Sequence, residues 1–128
     1  VWLAPTPDSP GLLTRDLTHT VYCPGAHGEG RFGPIDDAAL ERLRAQTLLA
    51  LTSISAGGGP ASYPDNPNGS IAGIAGICNE RGNVLGLMPH PEDHILPVQH
   101  PRWMRGESGY LGLPLFAQGV RYAAELGV

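Results

Sequence analysis

His90 stands between Pro89 and Pro91, and Glu92 follows two positions later. Proline fixes φ at its own residue and restricts the residue before it, so an imidazole held this way loses little entropy on being aimed at a target. Histidine titrates near neutral pH, and a carboxylate on one ring nitrogen selects the tautomer that leaves the other nitrogen able to take a proton. The pattern fits a general base with its orienting acid. It also fits an ordinary histidine in a turn after a strand.

Other residues suggest chemistry more weakly. The segment from Ala26 to Phe32, Ala-His-Gly-Glu-Gly-Arg-Phe, contains His27, Gly28, Glu29, Gly30 and Arg31, and offers both charge signs on an accessible backbone. It lacks the lysine and glycine spacing of a phosphate loop, and reads either as a structural turn or as part of a site. Cys78, within Gly76-Ile77-Cys78-Asn79, begins like a nucleophile elbow. An elbow needs a small residue two places on and then a helix, whereas Glu80 fills that place and Arg81-Gly82-Asn83 reads as a turn. Cys78 is therefore expected to be a structural thiol. The chain has five histidines, but His90 and His94, four apart, lie among prolines rather than on a helix, so a dedicated metal site is not expected.

These residues need elements to hold them. Val84 to Met88 reads as a strand that runs directly into the Pro89–Glu92 loop, and with Ile71 to Cys78 it makes a hairpin pattern across Asn79–Asn83. Strands are also expected over Val1–Ala4 and Thr18–Cys23. A helix is expected from Asp36 to Gln46, with acidic residues at its N-terminus and Leu40 and Leu43 on one face. Leu48 to Ile54 reads as another strand or as a continuation of that helix. Asp65 to Ser70 is a concentrated turn signal. Asp93 to Glu107 reads as an irregular ordered loop. The segment from Leu113 to Leu126 suits a closing helix with Pro114 in its first turn.

The 128 residues fit one small domain, and 41% apolar residues suffice for a core. With 18 glycines and 13 prolines, short elements and many turns are expected. The net charge of -4 arises from 12 acidic and 8 basic side chains, and none of the basic ones is lysine. Nucleic acid, which is held by clustered cations, is not an expected partner. No apolar run approaches the roughly 20 residues that cross a bilayer, so a soluble cytoplasmic protein is expected, with no membrane association. Cys23 and Cys78 read as reduced thiols.

Taken in order, Ala26–Phe32, Asn68-Gly69-Ser70, Ile74–Glu92 and Gly112-Leu113-Pro114-Leu115-Phe116 resemble successive blocks of the glutaminase subunit or domain of formylglycinamide ribonucleotide amidotransferase, a class I glutamine amidotransferase. The resemblance implies a three-layer, flavodoxin-like α/β fold, of which residues 1–128 would be the C-terminal part, and a Cys-His-Glu triad. His90 and Glu92 match the triad's histidine and glutamate. No match to the family's nucleophile elbow or oxyanion loop occurs between Val1 and Cys23, so the missing N-terminal part of the domain is expected to supply the cysteine, and this chain alone is expected to be inactive. The implied substrate is glutamine. The implied partner is a synthetase subunit or fused synthetase domain that uses ATP and magnesium, with no cofactor in this domain. Asp93 stands where the family commonly has arginine, and Ile95–Ser108 is longer and more aromatic than the usual connection. A regulatory module derived from an amidotransferase, and an amidotransferase serving another acceptor, are the alternative readings.

Overall fold

A computed structural model describes every residue except His27, Glu29, Tyr110 and Val128. Five strands, β1 (Trp2–Pro5), β2 (Val21–Tyr22), β3 (Leu49–Ile54), β4 (Ile74–Cys78) and β5 (Leu85–Leu87), form one sheet in the order β2-β1-β3-β4-β5. Each neighbouring pair is antiparallel. Two helices, α1 (Asp37–Ala45) and α2 (Leu113–Glu125), complete the framework.

The side-chain period of a strand divides the core. Adjacent β3 residues enter different clusters, Leu51 with Leu3, Val21, Cys23, Ala75 and Leu115, and Ala50 with Leu48 and Cys78. Leu3, Leu51 and Leu115 are essentially removed from solvent, and burial of such a side chain contributes about 1.5–3 kcal/mol. Leu115 thus fastens α2 to the sheet, while Leu43 of α1 packs against the second cluster.

Local chemistry sets the element boundaries. Asp36 caps α1 by accepting the Ala39 N–H at 2.6 Å, and Asp37 in the first turn and Arg42 and Arg44 in the last complement the helix dipole. Thr47 then takes a left-handed conformation, φ 54°, which ends the helix and makes Leu49–Ile54 a strand. The expected Thr18–Cys23 strand shortens to Val21–Tyr22, because continuing its register would place His19 opposite Pro5, which has no N–H to donate. In the expected Ile71–Cys78 strand, Ile71–Gly73 is instead a 3-10 turn, since Ala72 and Gly73 both have positive φ. Pairing starts at Ile74.

The β4–β5 hairpin is fixed at its turn. Asn79 accepts the Val84 N–H through its side chain at 3.0 Å, and the Gly82 carbonyl accepts the Leu12 N–H at 2.8 Å. A side chain at Gly82 would overlap the Pro10 carbonyl, so only glycine permits this approach. The expected irregular loop after His90 is built from three 3-10 turns, Pro91–His94, Pro97–Gln99 and Trp103–Arg105, each short because i→i+3 bonding does not propagate well. Pro114 lies in the first turn of α2, as the sequence predicts.

Candidate active site

β5 ends at Leu87, and three residues later His90 begins the Pro91–His94 turn. Backbone bonds lock this junction. The Met88 N–H donates to Ala75 at 3.0 Å, the His90 N–H donates to Pro24 at 2.9 Å, and the Gly112 N–H donates to the His94 carbonyl at 2.8 Å. His94 is fully buried, with its Nδ1 on the Tyr22 carbonyl and its ring edge-on to Tyr22. A side chain at Gly112 would overlap Pro91, so this glycine lets the start of α2 sit directly against the turn. The sheet, β2 and α2 together fix the residues on either side of Glu92.

His90 Nδ1 and Glu92 Oε1 lie 2.6 Å apart. The bond raises the imidazole pKa above its ordinary value, chiefly because the glutamate accepts the ring N–H, with a further contribution from the Ala26 backbone. The same bond lowers the glutamate pKa. With Nδ1–H committed to the carboxylate, Nε2 is the nitrogen available for proton transfer. Both side chains are partly exposed, so a substrate can reach them. Asp93 brings a third donor within 4.8 Å of these two, but His90 Nδ1 is already occupied by Glu92.

His90 borders an open cavity of about 500 Å³. Gly28, Gly30 and Arg31 line the same cavity, together with Gly76 of β4 and Gly86 of β5. The predicted site loop and the predicted base therefore share one cavity. His27 and Glu29 lie outside the described residues. Glu92 borders a second hollow, about 310 Å³, between β5 and α2.

The thiols are placed differently. Cys78 is buried with Leu48 and Ala50, its sulfur 3.5 Å from Ser9 Oγ and 3.6 Å from the Leu48 carbonyl, and it does not line the cavity. Cys23 is fully buried, and burial pushes its pKa up to about 12, so it holds almost no thiolate at neutral pH. Both are free thiols.

Sequence reasoning missed the role of His94 and His100. These rings lie 5.4 Å apart and pack around Tyr22, so both histidines hold the turn rather than face the cavity. Their spacing carried no periodic signal, since His94 ends one 3-10 turn and His100 caps the next.

The chain is 44% identical over 119 residues to "Phosphoribosylformylglycinamidine synthase subunit PurQ" of Treponema denticola, a match covering 87% of this chain and 43% of that one. A protein of the same name from Dehalococcoides mccartyi is 33% identical over 98% of this chain and 48% of its own length. "Phosphoribosylformylglycinamidine synthase" of Drosophila melanogaster is 48% identical over 55% of this chain and 5% of its own. A chain in "Structure of PurLQS from Thermotoga maritima" superposes with TM-score 0.61 at 29% identity, over 96% of this chain and 46% of that one, which bears out the α/β amidotransferase fold. This chain spans less than half the length of these relatives. Residues 1–123 match the family described as "CobB/CobQ-like glutamine amidotransferase domain", and the chain belongs to that family.

Proposed function

We propose that residues 1–128 are the C-terminal part of a glutaminase domain, with His90 as general base and acid and Glu92 as its orienter. The single observation that carries this reading is the 2.6 Å His90–Glu92 bond at the rim of a cavity large enough for an amino acid. The nucleophilic cysteine lies outside this chain, a placement supported by the burial of Cys23 and Cys78 and by the greater length of the relatives. Among the described elements β5 pairs only with β4. Its other edge offers unpaired backbone groups beside His90 to a strand of the remaining domain.

In this mechanism the thiol attacks the side-chain amide carbon of glutamine as His90 Nε2 takes the thiol proton. The resulting imidazolium protonates the leaving nitrogen, the C–N bond breaks, and ammonia leaves a glutamyl thioester. Water, deprotonated by the same nitrogen, then cleaves the thioester to glutamate and regenerates the thiol. Glu92 stabilises the imidazolium in both halves. Arg31, a cation lining the same cavity as His90, is suited to the substrate α-carboxylate.

The ammonia passes to an ATP- and magnesium-using synthetase partner, which converts formylglycinamide ribonucleotide to its amidine. The names of the relatives support formation of the amidine, whereas the use of ATP and magnesium follows from the family resemblance alone. The chain alone is inactive, because it holds the base and lacks the nucleophile. His90→Ala in the complete enzyme tests the reading. Glutamine-dependent amidation is lost and reaction with free ammonia is spared; equal loss of both reactions removes His90 from the glutaminase step.

A further inference from the structure

The Asp65–Ser70 turn, which the sequence marks only as a change of direction, is tied through side chains to the Gly30–Phe32 segment that lines the cavity. Asn68 Nδ2 donates to the Gly30 carbonyl at 2.6 Å. Asn68 Oδ1 accepts the Ser70 hydroxyl at 3.1 Å, and Ser70 Oγ accepts the Phe32 N–H at 2.9 Å. These bonds close a circuit that grips the backbone on both sides of Arg31.

The circuit is itself braced. Asn66 donates to the Ser70 carbonyl at 2.9 Å and accepts the Ser70 N–H at 3.1 Å, while the Ile71 N–H donates to Phe32 at 3.2 Å. Ser70 is almost completely buried, and the positive φ of Gly69, 67°, allows the chain to bring Asn68 and Ser70 to the same side. Linked hydrogen bonds of this kind polarise one another and favour one arrangement. Side-chain packing supplies little of that order at Gly28, where an added Cβ would meet nothing within 4 Å.

We propose that Asn68 and Ser70 are positioning residues of the amidotransferase site, clasping Gly30–Phe32 so that this part of the lining of the His90 cavity keeps the shape that binds substrate. The proposal rests on the glutaminase reading and deepens it. Neither residue touches a reacting atom, so both act on substrate affinity rather than on the chemical step. Asn68 presents nitrogen to a carbonyl and oxygen to a hydroxyl. An isosteric aspartate therefore retains the second contact and turns the first into an opposition of oxygens.

The test compares Asn68→Asp, Ser70→Ala and His90→Ala in the complete enzyme, following steady-state kinetics with glutamine and with free ammonia, and amide hydrogen exchange at Phe32. The expected result for Asn68→Asp is a rise in glutamine KM of about tenfold, the scale of one or two hydrogen bonds. Its kcat stays within about threefold, its ammonia reaction is unchanged, and Phe32 exchanges faster. Unchanged exchange at Phe32 rejects the clasp, and so does a fall in kcat at constant KM. Faster exchange with unchanged kinetics rejects its role in positioning. Should Ser70→Ala not fold, Asn68→Asp alone decides. The failure of the glutaminase reading is separately visible as glutamine turnover that survives in His90→Ala.

Discussion

The β4–β5 hairpin carries a chemically capable residue near each end, and the two have opposite environments. Cys78, at the turn end of β4, is buried among apolar side chains and excluded from the cavity. His90, just beyond β5, is partly exposed, bonded to Glu92 and faces the cavity. A reactive side chain needs access and a partner that controls its proton. Here the histidine has both, whereas the cysteine is packed as a small apolar residue.

The strongest way to break this contrast is substitution at the two ends. His90→Ala is expected to lower glutamine-dependent turnover more than about 100-fold, within the range for loss of a general base. Cys78→Ala is expected to leave turnover within about twofold and to cost about 1 kcal/mol of stability, read by denaturant midpoint. A large loss of turnover in a folded Cys78→Ala protein contradicts the division.

Gly112→Ala sharpens the contrast by disturbing only the His90 end. An added methyl overlaps Pro91, and relief of such overpacking costs about 1–3 kcal/mol. Glutamine turnover is expected to fall about tenfold as the turn shifts, while ammonia-dependent activity persists. Full glutamine turnover at native stability would show that α2 does not set the turn.

Glu92→Gln gives a smaller effect with a defined pH signature. Glu92 holds the imidazole pKa up, so its loss moves the acid limb of kcat/KM to lower pH. An unmoved limb means that another group sets it. For stability, the raised histidine pKa contributes below its ordinary 6.5 and is lost as pH rises through the folded value. The lowered glutamate pKa contributes above its ordinary 4.5 and is lost as pH falls through the folded value. The stability difference between Glu92→Gln and the parent is therefore largest between those two values. It is small because both side chains are exposed to solvent screening.

The parts of the molecule that obey local rules were legible in the sequence. Asp36, Asp37 and the Leu40/Leu43 spacing announced α1, and Asn79–Asn83 between apolar runs announced the hairpin. The prolines and the two-residue spacing suggested that His90 and Glu92 could meet, as they do, while their reading as base and orienter came from the family resemblance. The trimmed strands depended on non-local facts, namely the register opposite Pro5 and the left-handed Ala72 and Gly73. Burial of His94 against Tyr22, 72 residues away in sequence, leaves no periodic trace. The Asn68–Ser70 clasp was visible only as turn composition, since its partners, Gly30 and Phe32, lie 38 residues away.

The most direct test of the central claim, that this chain brings the base to a cysteine held elsewhere, is peptide mapping of the complete enzyme after reaction with an electrophilic glutamine analogue. A single adduct on a cysteine outside these residues, formed far more slowly in His90→Ala, is the predicted result. An adduct on Cys78 would contradict the account, because the buried end of the hairpin would then be the reactive one.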